Sequence, residues 1–283
     1  MRAVAPSPLV TLDLFSALID SRTGGSAALE RITGTPGERL YDVWDAANKV
    51  SQRDLTTWVP FAEHSRRALG AAYAELGVAR DPDADTRRLL DSVGDWPMWP
   101  DVAEGVQALA ARARVGVLSN VDDAVFARTR VAPLVDDPDV LTSERLRAYK
   151  PAPEIYLRAR ERAGGRLMHV ATSARDVRGA LAAGIEVVRL RRPGHRLDPE
   201  GATPQVEAAD LREVARLLDQ LHGELPESCR ASSTPRDSRA ELRSRHRTPP
   251  GCAVVCERLP AVQCTHSLPA GSEAPPRWRQ ERR

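Results

Sequence analysis

Four polar clusters in this 283-residue chain each follow an apolar run and together could perform covalent chemistry. Asp13 follows VTL, Ser119 and Asn120 follow VGVL, Lys150 lies in the connection after VLTS, and Asp176 lies just after HVATSAR. A carboxylate in a partly buried crevice needs a nearby cation to stay ionised at neutral pH, and Lys150 is the obvious candidate. Ionised, Asp13 can act as a nucleophile. Ser119 and Asn120 offer a hydroxyl and an amide to hold a carboxylate, a phosphate or a departing anion, while Asp176 can orient Lys150 or position a water. The plainer readings are helix caps for Asp13, Ser119, Asn120 and Asp176, and a solvated surface position for Lys150. Lys150 is one of only two lysines beside 39 arginines, so a chain that otherwise meets every need for a cation with Arg uses Lys here for a reason.

These groups meet only if the runs before them are strands of one parallel sheet, whose carboxyl ends share an edge. Short apolar runs occur at Leu9 to Leu12, Val115 to Leu118, Val140 to Thr142, Met168 to Thr172 and Ile185 to Leu190. Helical patterns separate the later ones, at Val102 to Ala113, Pro153 to Gly164 and Asp176 to Gly184, and Asp210 to Gly223 reads as a final helix. The alternation predicts βαβ units in an α/β fold, a Rossmann-like three-layer core. The first and second strands are separated by about a hundred residues with helical patterns and no strand signal, including ERLYDVWDAANKV and TTWVPFAEHSRRALGAAYAELGV. The predicted organisation is a core over 1–21 and 97–223, a helical cap over 22–96 above the strand ends, and a tail over 224–283. Trp44, Trp58, Phe61 and Tyr73 read as apolar faces of cap helices, with Trp58 and Phe61 reaching toward the pocket; His64 and His169 read as packing residues.

Composition narrows the classes. Hydrophobic residues at 42% and charged residues at 28% suit a globular protein, and no apolar run approaches membrane-spanning length. No secretory signal is visible, so a cytoplasmic location is expected. The net charge is +2, but residues 224–283 carry 11 Arg against 7 acids, which leaves the first 223 residues near −2 and gives no nucleic-acid surface on the main body. The Arg/Pro/Ser-rich tail is expected to be disordered, and its Cys229, Cys252, Cys256 and Cys264 have spacings that match paired zinc ligands poorly.

In order and spacing, the four stretches resemble the motifs of the haloacid dehalogenase (HAD) superfamily of aspartate-nucleophile hydrolases. Residues 9 to 20 resemble its first motif, VGVLSN its second, AYKPAPEIY its third and HVATSARDVRGALAAG its fourth, with a helical cap inserted after the first. The resemblance implies attack by Asp13 on substrate, a covalent ester or acyl phosphate, and hydrolysis by water. Phosphatases of the superfamily carry an acid two residues after the nucleophile, and here that position is Phe15, which cannot donate a proton. Their magnesium-ligand position falls on Thr172, preceded by Ala171. The resemblance is therefore to the 2-haloacid dehalogenase branch, where halide leaves without a general acid. That implies a metal-independent site with no cofactor and a small anionic substrate, and a homodimer is among the assemblies expected.

The site expected on this resemblance has Asp13, Lys150 and Asp176 as catalytic residues and Phe15, Ser119, Asn120, Ser173 and Arg39 as substrate-binding residues. Arg53 is the other candidate for the cap arginine that binds halide. Departures from the branch are Ser16-Ala17 in place of Gly-Thr, and Ala171 and Ser173 in place of Ser and Asn. The alternatives are a magnesium-dependent small-molecule phosphatase, using Asp13, the Phe15 carbonyl and Asp176, and a catalytically inactive binding protein of the same fold.

Overall fold

The structure is a computed structural model and describes residues 8–53, 55–197 and 201–223. Strand β1 (Leu9–Leu12) is followed by helices α1 (Ser21–Thr33), α2 (Gly37–Ser51), α3 (Phe61–Leu76) and α4 (Pro82–Asp91) and a 3-10 turn at Ser92–Asp95. Helix α5 (Val102–Ala110) leads into β2 (Arg114–Ser119), and the short α6 (Asp123–Ala127) precedes β3 (Val140–Thr142). Then come α7 (Ser143–Leu146), α8 (Pro153–Arg162), β4 (Leu167–Ala171), α9 (Ala174–Ala182), β5 (Glu186–Leu190), β6 (Val206–Ala208) and α10 (Leu211–Gly223). The tail with its four cysteines lies outside the described residues.

Among the described residues the six strands form one parallel sheet in the order β3-β2-β1-β4-β5-β6. This is the doubly wound arrangement, and the strand order reverses between β1 and β4, where a crevice opens at the carboxyl ends. Strand β1 is buried along its whole length, as a central parallel strand covered on both faces must be. On one face Leu9, Leu118 and Leu141 pack with Ile155, Tyr156 and Ala159 of α8 and Val177 and Ala180 of α9. On the other, Val10, Leu12 and Val117 pack with Val102 and Val106 of α5 and Leu211 and Val214 of α10. The fold is therefore a three-layer α/β/α core.

Two elements differ from the sequence expectation. Strand β6 has one buried residue in three, and it is a strand because β5 offers it a free edge, with Val188 opposite Val206. Helix α1 carries Gly24 and Gly25 in its interior, where glycine ordinarily costs about 1 kcal/mol against alanine. The Gly24 position needs it: a Cβ there would lie 2.5 Å from the Cβ of Trp96. No described helix is long and apolar enough to cross a membrane.

Candidate active site

The end of β1 sets the position of Asp13, whose amide donates to the Val170 carbonyl of β4 at 3.0 Å. Lys150 reaches it from the segment after α7. Its Nζ donates to Asp13 Oδ1 at 2.5 Å, to Asp176 Oδ2 at 2.7 Å and to the Leu118 carbonyl at 2.9 Å, which uses all three ammonium protons. All three side chains are buried, at 8% exposure for Asp13, 5% for Lys150 and 3% for Asp176. The lysine thus occupies the place between the two acids.

Asp176 is held more firmly than Asp13. Its Oδ1 accepts from the Tyr156 hydroxyl at 2.7 Å, and His169 Nε2 lies 3.2 Å from Oδ1 and 3.1 Å from Oδ2. An ionised carboxylate only accepts, so His169 donates from Nε2; its Nδ1 pairs with Thr11 Oγ1 at 3.0 Å, and the Thr11 hydroxyl also reaches the Met168 carbonyl at 3.3 Å. Thr11 and His169 stand opposite each other in the β1–β4 register. Ser173, not Asp176, caps α9: its Oγ accepts from the Asp176 amide at 3.3 Å.

The electrostatics separate the two acids. Burial pushes Asp13 above the ordinary carboxylate range; the charge of Lys150 opposes this and that of Asp176 reinforces it. For Asp176 burial acts in the same direction, but Lys150, His169 and their hydrogen bonds outweigh it and hold the carboxyl below its usual value. Burial likewise works against the Lys150 charge, and the two carboxylates overcome it and raise the lysine above its usual value.

These residues form the floor of a cavity of about 430 Å³ roofed by α1, α2 and the start of α3. Phe15 lines it and rests against Trp96, with ring centroids 5.3 Å apart. Ser119 lines it too, and its hydroxyl makes no hydrogen bond to other described residues. Trp44 and Phe61 reach the cavity from the helices; Trp58 does not, and lies under the Arg147 guanidinium instead. His64 is buried, with Nδ1 3.0 Å from Ser51 Oγ.

Two expected substrate contacts are corrected. Asn120 lines the cavity, but its amide nitrogen donates to Gln52 Oε1 and to the Lys150 carbonyl, both at 2.9 Å, and its oxygen accepts from the Lys150 amide at 2.7 Å. It braces the Lys150 backbone and has no donor left for a ligand. Arg39 is exposed and lies outside the cavity lining, as does Arg53. Tyr41, Trp44, Asp45, Asn48 and Gln52 share the cavity-facing side of α2 and its C-cap, and Arg39 sits about 160° round the helix from Tyr41.

The model of the haloacid dehalogenase-like hydrolases matches residues 9–184, which run from β1 through α9. The chain belongs to this hydrolase family. The chain is 30% identical over 140 residues to an (S)-2-haloacid dehalogenase 4A of Burkholderia cepacia, a match covering 47% of this chain and 58% of that one. It is 25% identical over 225 residues to an (S)-2-haloacid dehalogenase 1 of a Pseudomonas species, covering 76% of this chain and 98% of the relative. Its fold is similar to that of the L-2-haloacid dehalogenase from Xanthobacter autotrophicus solved with chloropropionic acid covalently bound, with a TM-score of 0.67 at 21% identity over 75% of this chain and 98% of that one. Ser16 adopts φ 74°, the left-handed region that glycine enters at no steric cost. Its backbone is pinned there: the amide donates to the Ile19 carbonyl and the carbonyl accepts from Trp99 Nε1, both at 2.9 Å.

The sequence reading missed Thr11 and Tyr156, and took His169 as packing alone. The available signal was polarity inside buried runs, since a buried Thr and His on adjacent strands must find partners. It also missed Arg175, which lines the cavity and donates from Nη2 to the Lys150 carbonyl at 2.7 Å.

Proposed function

We propose that this hydrolase cleaves the carbon–halogen bond of an (S)-2-haloacid through a covalent ester on Asp13, without a metal. The carrying observation is the Lys150 ammonium between Asp13 Oδ1 and Asp176 Oδ2, at 2.5 and 2.7 Å, with Phe15 where a proton donor would have to stand. Oδ1 is engaged by Lys150, so Oδ2 attacks the α-carbon, and the carbon–halogen bond breaks with its electron pair leaving on halide. Water then attacks the ester carbonyl, releasing a 2-hydroxy acid and a proton and regenerating the Asp13 carboxylate. Displacement inverts the α-carbon, so an (S)-haloacid gives the (R)-hydroxy acid. Asp176 acts as a positioning residue for Lys150, because its oxygens are taken up by Tyr156, His169 and Lys150.

The donor set does not suit magnesium. A hard cation wants several oxygen ligands, and here the ammonium already lies between the acids while Thr172 Oγ1 is turned away to donate to the Leu190 carbonyl at 3.0 Å. Among the described residues no group of three or more His, Cys, Asp or Glu is placed to hold a metal ion.

The test is purified protein with (S)-2-chloropropionate and, separately, p-nitrophenyl phosphate, each with EDTA and with magnesium. Chloride release that EDTA leaves unchanged and Asp13→Asn abolishes is the expected result. Magnesium-dependent phosphate release would replace this reading with a phosphatase, and silence on both substrates would leave a binding protein.

A further inference from the structure

Among the described residues, the cavity has one arginine or lysine that lacks a carboxylate partner. Arg22 lies 2.9 Å from Asp42, Lys49 lies 2.5 Å from Asp45, and Lys150 is shared by Asp13 and Asp176. Arg175, in the first turn of α9, forms no ion pair with the described residues. One of its N–H groups is used on the Lys150 carbonyl, and its Nε is buried without any acceptor. The neighbouring Asp176 carboxylate is turned to Lys150 and His169. Burial lowers the Arg175 pKa and the positive charge of Arg53 adds to the effect; Tyr156, Asp176 and Asp45 act the other way without cancelling it.

We infer that Arg175 receives the substrate's carboxylate and makes the site selective for acids over their neutral analogues. The inference rests on the dehalogenase reading for the identity of the substrate. A partly buried guanidinium short of a counter-charge is costly, and an incoming carboxylate offsets that cost while matching the planar fork of donors. The bond from Nη2 to the Lys150 carbonyl ties the anchor to the residue that holds the nucleophile, so an acid bound by Arg175 is registered against Asp13. Arg175 thus meets the cavity from α9, whereas Arg39, expected to bind halide, lies outside the lining.

The experiment compares wild type, Arg175→Gln and Arg175→Lys. Turnover is measured on (S)-2-chloropropionate and on its amide, and calorimetry measures binding of the unreactive product analogue (R)-lactate and of lactamide. The expected result for Arg175→Gln is a KM for the acid raised about 10- to 100-fold with kcat changed far less, a loss of charged hydrogen bonding of the usual size. Lactate affinity should fall by the same factor, lactamide affinity should not, and Arg175→Lys should lie between. A fall in kcat with KM and lactate affinity unchanged would show a mere prop for the Lys150 backbone and overturn the inference. So would equal lactate binding in all three proteins, or none in wild type. If wild type releases no chloride yet binds lactate in an Arg175-dependent way, the anion anchor stands and the dehalogenase reading fails.

Discussion

His169 Nε2 lies 3.1 Å from Asp176 Oδ2, so the acid that grips Lys150 is itself gripped from the centre of the sheet. His169 is fully buried, and removing its donor leaves a buried carboxylate short of a partner. We expect His169→Phe to cost about 1–3 kcal/mol in urea unfolding. His169→Gln, whose amide can still donate, should recover part of that loss. Equal stabilities for the two variants would remove the hydrogen bond as the cause.

Lys150→Met leaves two buried carboxylates facing each other, and breaking a buried pair in this way costs on the order of 3–5 kcal/mol. The loss should depend on pH with a definite sign. Without the ammonium, Asp13 loses the charge that opposes its burial and keeps the repulsion of Asp176, so it titrates further above its unfolded value and the folded form binds that proton more tightly. The variant should therefore be most stable in acid and lose stability as pH rises through the raised value. Thermal melting from pH 4 to pH 8 checks this, and a variant that keeps the pH dependence of wild type contradicts it. Arg in place of Lys should not restore activity, because the planar fork does not reproduce a point charge with three donors.

The same titration reasoning applies to turnover. Burial places Asp13 above the ordinary value of 3.8, and attack needs the ionised form. The acid limb of kcat/KM should then lie above pH 3.8, with activity lost as pH falls through it. Lys150 is raised above its ordinary 10.5, so it should contribute no alkaline limb below that value. Chloride release across the pH range measures both limbs, and activity undiminished at pH 3.8 argues against Asp13 as nucleophile.

Much of this was legible in the sequence, for physical reasons that also mark where legibility ends. The four inner strands β1, β2, β4 and β5 announce themselves because parallel strands covered on both faces are mostly apolar runs, and Asp13, Lys150 and Asp176 stand out because each follows such a run or a turn beyond it. Helix α1 is obscured by Gly24 and Gly25, which a close neighbour requires and propensity disfavours. The Thr11–His169 pairing depends on strand register, and the rotation of α2 and α9 about their axes, which sequence does not show, decides that Arg175 and not Arg39 lines the cavity. Asn120 has the residue type of a substrate donor, and only the path of the Lys150 backbone shows that its amide is already used.

Helix α3 begins at Phe61 after Pro60, which supplies no side-chain cap. Asp122, from the loop after β2, provides one across space: its two carboxylate oxygens accept from the Phe61 amide at 2.8 Å and the Ala62 amide at 2.9 Å. Asp122→Ala should lower unfolding free energy by about 0.5–2 kcal/mol, the usual loss for an N-cap. Because Phe61 also lines the cavity, KM should rise with the loss of stability. An unchanged melting temperature would mean that the cap is dispensable.

The cavity is large for the smallest substrates of the proposed reaction. At about 430 Å³ it has room for on the order of a dozen water-sized groups, and a three-carbon haloacid fills only about half of that. The remaining wall carries Phe15, Tyr41, Trp44, Phe61 and Trp99, which favour apolar substituents on the α-carbon. Burying each added methylene against such a wall contributes roughly 0.8 kcal/mol, or about fourfold in kcat/KM. From (S)-2-chloropropionate to (S)-2-chlorohexanoate, kcat/KM should climb by about that factor per carbon, mainly through a falling KM, until the space is filled. A steady decline from the three-carbon acid onward would mean that the helices close further over the strand ends than this arrangement has them, and would return the preference to the smallest haloacids.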